Sequence, residues 1–152
     1  MLVVLLGGCA DDLGSVARRQ GISAMALIRL SEGFAVAARR AGERVEVVAF
    51  GADQGGGWSA EVIAGGADGE MTTHLVTMGG ETGQEWNSFL FGSAPNGASR
   101  VVMDTFGATG GQVVGGAWVL AIRSRDVAPH QLTWRVLDPI GGVITSGAGL
   151  AP

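Results

Sequence analysis

The sequence predicts an all-β fold, most simply a two-sheet antiparallel β-sandwich of about eight to ten short strands. From about residue 25 onward, short apolar runs alternate with glycine-rich breaks at a spacing of about 8–12 residues, which is typical of sandwiches and barrels. Gly accounts for 27 of the 152 residues and hydrophobic residues for 47%, which favours a packed core joined by many tight turns.

Length and charge bound the possible functions. A chain of 152 residues is long enough for one domain, and its composition excludes a disordered chain, a coiled coil and a collagen-like repeat. The net charge of -4 argues against nucleic acid as a partner. All ten basic residues are Arg and no Tyr occurs, which favours a GC-rich bacterial genome as the source.

The N-terminal segment joins a short apolar run to the only cysteine. The chain opens with Leu2–Leu6, followed by Gly7, Gly8 and Cys9. The sequence Leu6-Gly7-Gly8-Cys9 resembles the lipobox of bacterial lipoproteins. The resemblance implies cleavage before Cys9, lipid attachment to its sulfur, and a domain held at the membrane in the cell envelope, outside the cytoplasm. Lipid chains in a bilayer contribute about 0.8 kcal/mol per buried CH₂, so one modified Cys suffices as an anchor.

An alternative interpretation makes the same residues part of the fold. No basic residue precedes the apolar run, and Leu2–Leu6 is shorter than the roughly 7–15 residues of a signal peptide. In this alternative, Leu2–Leu6 is a buried first strand and Cys9 is a small core residue. The predicted organisation is a partial signal-like segment over residues 1–8, a tether or short helix over 9–24, and a single β domain over 25–152.

Residues 15–41 are the most ambiguous part of the chain. Ala, Leu, Met and Arg favour helix here, and we predict a short helix or turn over residues 15–20 and a β-hairpin over 26–39. Residues 16–30 also resemble a bacterial helix-turn-helix, with Gly21 at the turn and Ser23 capping a second helix. That resemblance implies a DNA-binding regulator as a rival function, although no third helix to close its core is evident.

The strands are assigned from β-branched and aromatic content between turn signals. The predicted strands are Ala26–Leu30, Phe34–Arg39, Val45–Phe50, Trp58–Ile63, Met71–Thr77, Ser88–Phe91, Arg100–Asp104, Gln112–Ile122, Leu132–Leu137 and Val143–Thr145. The glycine clusters, including Gly55-Gly56-Gly57, and the segment Asp138–Gly142 are predicted to be turns, because none has the strand–loop–helix context of a phosphate-binding loop.

The tryptophans give the only indication of a ligand site. Trp118 and Trp134 lie among Val and Leu in predicted strands, so we expect both in the core. Trp86 is flanked by Gln84, Glu85 and Asn87, whose side chains would hydrogen-bond a ligand beside an aromatic platform. These four residues form the predicted binding site for a glycan or a peptide.

No motif indicates catalysis or metal binding. His74 and His130 are isolated and Cys9 is single, so no metal-ligand spacing is present, and no cofactor is expected. The one enzymatic arrangement that the sequence allows is a Ser-His-Asp site assembled in space from Ser88 or Ser93 with His74 and Asp104. The sequence therefore predicts a non-catalytic, lipid-anchored domain with a structural or recognition role, and carbohydrate or peptide binding through Trp86 as its alternative.

Overall fold

The computed structural model describes residues 12–67, 73–77, 86–104, 107–123 and 132–148. It confirms the all-β prediction, since strands dominate and one short α-helix precedes them. Within the described residues the helix is α1 (Leu13–Arg19), and a 3₁₀ turn (Ala24–Ala26) follows it. The strands are β1 (Ile28–Ser31), β2 (Phe34–Ala41), β3 (Arg44–Ala52), β4 (Trp58–Ala67), β5 (Thr73–Thr77), β6 (Trp86–Ser93), β7 (Arg100–Met103), β8 (Ala108–Gly110), β9 (Ala117–Arg123), β10 (Thr133–Leu137) and β11 (Val143–Ala148).

These strands form three antiparallel sheets where the sequence predicted two. Sheet I has the strand order β1-β2-β3-β4, sheet II the order β5-β6-β9-β8, and sheet III the order β11-β10-β7. Sheet I is a meander of consecutive strands, whereas sheet II brings β6 and β9 together across a gap in sequence that contains β7 and β8.

The sheets stack in layers in the order α1, sheet I, sheet II, sheet III. Three separate clusters of buried apolar side chains lie between the layers. The first joins α1 to sheet I, the second joins sheets I and II, and the third joins sheets II and III. Sheet II is therefore buried on both faces.

Strand β9 contributes side chains to two of the buried clusters, one on each face of sheet II. Alternate residues of a strand point to opposite faces. Ala117, Val119 and Ala121 accordingly pack toward sheet I. Trp118, Leu120 and Ile122 pack toward sheet III. Such a strand is apolar at every position, in contrast to the alternating pattern of a strand with one wet face.

Helix α1 is part of the folded unit. Leu13, Val16 and Ala17 are buried against β2 and β3, as is Ile22, which follows the helix. Of the two alternatives for residues 9–24, the described part thus forms the short helix. The helix begins two residues earlier than predicted because Asp12 caps it, its carboxylate accepting a hydrogen bond from the Ser15 N–H at 2.7 Å.

The Asp12 cap makes helix stability dependent on pH. The hydrogen bonds from Ser15, and secondarily the charges of Arg18 and Arg19, hold the pKa of Asp12 below its usual value. A carboxyl whose pKa is lowered on folding stabilises the fold above its unfolded-state pKa, and this contribution disappears as the pH falls through the folded-state pKa. We expect the melting temperature of Asp12→Asn to lie below wild type at pH 7 and to converge with it near pH 2. An equal difference at both pH values would contradict this assignment.

The helix-turn-helix prediction is wrong in its second helix. Ser23 does act as a cap, but for the 3₁₀ turn, where its hydroxyl accepts from the Met25 N–H at 3.2 Å. The chain then becomes extended and forms β1, whose Ile28 and Leu30 pack toward the core between sheets I and II. Burial with a period of two residues overrides the helical propensity of this segment, and the predicted β1–β2 hairpin is confirmed.

Hydrogen bonds from Arg39 of β2 connect the end of α1 to sheet I. The Arg39 guanidinium donates to the backbone carbonyl of Gln20 at 2.7 Å and to its side-chain oxygen at 3.0 Å. The same guanidinium contacts Glu46 on β3 at 3.1 Å, and both side chains are only about one-fifth exposed. Gln20 thus serves as a polar attachment point for the helix C-terminus.

Two lateral edges of the stack are closed by a side chain resting on a glycine. At one edge the His74 imidazole of β5 lies against Gly66 of β4, stacks on Phe91 with ring centroids 5.3 Å apart, and contacts the Ala67 carbonyl at 3.2 Å. At the other edge Ile28 of β1 lies against Gly110 of β8. A side chain at either glycine would overlap its neighbour, so the sheets approach closely only because both lack a Cβ.

The predicted strand Gln112–Ile122 is wrong in its first half. Gly115 and Gly116 adopt left-handed φ angles of 61° and 81° and turn the chain, so β9 begins at Ala117. Residues before this turn, including Gln112, form isolated bridges instead.

The predicted turns at residues 55–57 and 138–142 are confirmed, whereas the predicted turns at Gly65 and Gly66 and at Gly110 are wrong, because these glycines lie within β4 and β8. The two confirmed turns share one design that the sequence analysis missed. Asp53 and Asp138 each begin a five-residue loop, with a left-handed glycine at the fourth position and a second glycine at the fifth. In both loops the carboxylate accepts two backbone N–H groups, at distances between 2.7 and 3.0 Å. The pattern D-x-x-G-G therefore encodes both the β3–β4 and the β10–β11 hairpin.

Candidate functional site

An open groove of about 360 Å³ lies beside the edge where sheets I and II meet through Ile28 and Gly110. Its lining comes from the 3₁₀ turn and β1 on one side and from β8 and β9 on the other. The lining residues are Met25, Ala26, Leu27, Ile28, Arg29, Ala38, Thr109, Gly110, Gln112, Ala117, Trp118 and Val119.

One wall of the groove is continuous in sequence. Five consecutive residues, 25–29, line it. Met25 and Ala26 belong to the 3₁₀ turn, whereas Ile28 and Arg29 belong to β1. Strand β1 pairs only with β2 among the described strands.

The floor of the groove is apolar. Ala38, Ala117 and Val119 are buried on the side of the core between sheets I and II. Trp118 also lines the groove, but it is 2% exposed, its side chain packs toward sheet III, and its indole N–H donates to the Ser93 carbonyl at 3.0 Å. The rim carries Met25, which is 72% exposed and is the most exposed apolar side chain of the groove.

The opposite wall is short and positioned by glycines. Thr109 and Gly110 belong to β8, which pairs only with β9 among the described strands. Gly111 follows with φ +92°, and its N–H donates to the Val119 carbonyl at 2.8 Å. Its carbonyl in turn accepts from the Val101 N–H at 2.7 Å, so this wall is fixed to sheets II and III together.

Arg29 is the only charged residue that lines the groove. Its guanidinium lies 5.2 Å from the centre of the Trp58 ring and donates to the Glu32 carbonyl at 3.3 Å. These contacts place the Arg29 side chain on the α1 face of sheet I, opposite the face on which Ile28 and Leu30 pack. The groove thus combines an apolar floor with uncharged polar groups at Thr109 and Gln112.

The predicted ligand site at Trp86 is largely outside the described residues. Gln84 and Glu85 lie outside them, and for Trp86 and Asn87 the backbone places both at the start of β6. Trp86 pairs with Arg123, five residues along β9 from Trp118, which corresponds to about 17 Å of strand. Trp86 is therefore not a neighbour of the groove floor, and its role in binding stays a prediction.

The other tryptophans follow the sequence prediction. Trp118 and Trp134 are buried, at 2% and 5% exposure, and both pack in the core between sheets II and III. Trp58 is half-buried at the edge of the α1 core, beneath Arg29.

The residues of the Ser-His-Asp arrangement make contacts within the fold. His74 packs on Gly66 and Phe91. Asp104 accepts from the Nε of Arg135 at both carboxylate oxygens, at 3.0 and 3.1 Å, and lies 2.9 Å from its Nη2. Ser88 is buried in sheet II. Across the described ranges no three His, Cys, Asp or Glu side chains are grouped as metal ligands, and no helix there is long and apolar enough to span a membrane. Cys9 and His130 lie outside the described residues.

Comparison with protein-family models, with curated proteins and with solved structures finds no match to this chain. The features that bear on function are the groove, the layered scaffold and the lipobox resemblance at Cys9. No sequence signal pointed to the groove, because its walls come from residues 25–29 and 109–119, which only the fold brings together.

Proposed function

We propose that this chain is a non-catalytic recognition domain, anchored outside the cytoplasm by a lipid on Cys9, with the groove between β1 and β8 as its contact surface. The observation that supports recognition is the groove itself. Concave sites with an apolar floor and a few convergent polar groups are the usual binding surfaces of small domains. The interlocked sheets provide a rigid scaffold for it.

The position of α1 limits how far a lipid on Cys9 would lie from the described domain. Asp12 caps the helix and Leu13 is buried, and two residues, Ala10 and Asp11, stand between Cys9 and the cap in the sequence. Three extended peptide steps span about 10 Å. A lipid on Cys9 would therefore hold the domain close to the membrane surface rather than on a long tether.

Replacing Cys9 with serine tests the anchor. Behind a complete signal peptide in a bacterial host, we expect Cys9→Ser to abolish incorporation of labelled palmitate and to move the protein from the membrane to the soluble fraction. The melting temperature of the purified variant should equal that of wild type, because a lipid-bearing residue 9 would precede Leu13, the first core side chain among the described residues. Ala10→Ser, which adds the same hydroxyl beside an intact Cys9, should retain both label and membrane association. A wild-type protein without label would contradict the proposal.

Recognition is tested by photocrosslinking from the rim of the groove. A benzophenone amino acid at position 25 should give a discrete adduct in cells of the native host, because Met25 lies at the mouth of the groove. The same group at position 140 is the control, since Ile140 is 94% exposed and does not line the groove. Identical adducts from both positions, or none from position 25, would contradict the groove as the contact surface.

A further inference from the structure

We propose that Asn96 is a site of spontaneous deamidation, at which the backbone nitrogen of Gly97 displaces ammonia from the side-chain amide and water opens the resulting cyclic imide to isoaspartate or aspartate. The site lies in the connection between β6 and β7, in the sequence Pro95-Asn96-Gly97-Ala98. The inference does not depend on the groove or on the lipid anchor.

The residue that follows Asn96 favours this chemistry. A five-membered imide forms when the nitrogen of the next residue reaches the carbonyl carbon of the Asn side chain. Glycine has no Cβ, so it neither hinders that approach nor restricts the backbone rotation that the approach needs. The chain contains two Asn residues, Asn96 before Gly97 and Asn87 before Ser88, and only the first has glycine in this position.

Both reacting groups are accessible in the folded protein. Asn96 and Gly97 are exposed, and apart from its chain neighbours no atom lies within 4 Å of the position that a Cβ would take on Gly97. In the described part of the chain, neither the Asn96 side chain nor the Gly97 N–H has a hydrogen-bond partner. The nucleophile and the carbonyl group are therefore not held by other contacts.

The reaction requires the turn to open. Gly97 has φ +88°, and the Ala98 N–H donates to the Pro95 carbonyl at 3.1 Å, which is the pattern of a type II turn. In such a turn the residue before the glycine has ψ of about +120°, which holds the Gly97 nitrogen away from the Asn96 side chain. Attack needs rotation about the Asn96 Cα–C bond, and the hydrogen bond that this rotation breaks is the exposed one within the turn.

The residues on either side confine this opening to the turn. The Ala94 N–H donates to the Gly116 carbonyl at 2.9 Å, and the Ser99 N–H donates to the Leu137 carbonyl at 2.7 Å. These two bonds attach the ends of the connection to the neighbouring segments. Local opening of an exposed turn costs far less than global unfolding, so the reaction proceeds from the native state.

The step balances with water as its one co-reactant. The Gly97 nitrogen bonds to the side-chain carbonyl carbon of Asn96 and loses its proton, while the side-chain nitrogen leaves as ammonia. Water then cleaves one of the two imide C–N bonds. Cleavage on the side-chain side gives aspartate, and cleavage on the main-chain side gives isoaspartate, whose backbone is longer by one carbon. Either product adds a carboxylate, which makes the net charge of -4 more negative by one.

The test incubates the full chain, carrying Cys9→Ser so that no lipid is attached, at neutral pH and physiological temperature. Peptide mapping with electron-transfer fragmentation distinguishes isoaspartate from aspartate, and ion exchange separates the more acidic product. Asn87 is the internal control, since it lies in β6 and the residue after it, Ser88, is buried. Asn96→Gln keeps an amide in the exposed turn but would need a larger ring, so it should give no new acidic species.

We expect both isoaspartate and aspartate at position 96, with isoaspartate in excess, and conversion at least about tenfold faster than at position 87. The rate in the folded chain should lie within about tenfold of that in a synthetic peptide of residues 93–100, because the turn is exposed. Unchanged Asn96 in a folded chain whose peptide reacts would overturn the inference. Aspartate alone would also overturn it, since the cyclic imide would not be the intermediate, as would an acidic species that persists in Asn96→Gln.

Discussion

Trp134→Ala should abolish cooperative unfolding or lower the free energy of unfolding by about 3–5 kcal/mol, the usual cost of truncating a buried Trp. Trp134 is 5% exposed, packs between sheets II and III, and lies against Gly147 of the neighbouring strand β11. Small domains have a total stability of about 5–15 kcal/mol, so the loss is a large fraction of the whole. Thermal and urea unfolding followed by circular dichroism measure it.

The neighbouring residue provides the control for this prediction. Arg135 points to the other face of β10, is about half exposed and forms a surface ion pair with Asp104. Exposed pairs contribute up to about 1 kcal/mol, so Arg135→Ala should be mild. A loss below about 1 kcal/mol for Trp134→Ala would show that the third core layer is not formed as described.

Gly111→Ala is the second substitution with a large expected effect. Gly111 has φ +92°, where a side chain costs about 1–2 kcal/mol. A Cβ there would also overlap the backbone carbonyl oxygen of Val101. Relieving the overlap means separating β7 from β9, with loss of the two hydrogen bonds that Gly111 forms, each contributing about 1 kcal/mol. We expect destabilisation of at least about 3 kcal/mol by urea unfolding.

Gly115 allows the conformational cost to be measured alone. It has φ +61° and open space where a Cβ would lie. Gly115→Ala should therefore cost only the left-handed conformation, about 1–2 kcal/mol. If Gly111→Ala and Gly115→Ala were equally destabilised, the close approach of Gly111 to Val101 would not be a constraint on the fold.

The sequence predicted the fold class because local patterns encode it. The alternation of Arg44-Val45-Glu46-Val47 and the glycine turns are visible along the chain, and both appear in the structure. The sequence analysis predicted two sheets rather than three, although the sequence of β9 indicated the third. Ala117–Ile122 is apolar at all six positions, and such a run indicates a strand covered on both faces.

The helix and the groove were difficult to predict from the sequence for two different reasons. For residues 13–30 helical propensity and strand periodicity compete, and burial against sheets I and II decides between them. The groove has no local signature at all, since it arises where the edges of two sheets meet. Its glycine contact, Gly110 against Ile28, joins residues more than 80 positions apart, a distance over which a single sequence carries no readable pattern.

Because sheet II is covered on both faces, its two faces become buried at different times as the chain is synthesised. Helix α1 and the meander β1–β4 are contiguous in sequence, so they can associate as soon as residue 67 is available. Strands β6 and β9 then present Leu90, Trp118 and Leu120 on a face that only sheet III covers. Its central strand β10 is among the last of the described strands to be synthesised. Until then this apolar face of β6 and β9 is uncovered, and exposed apolar surface of this kind makes an incomplete chain prone to associate with others.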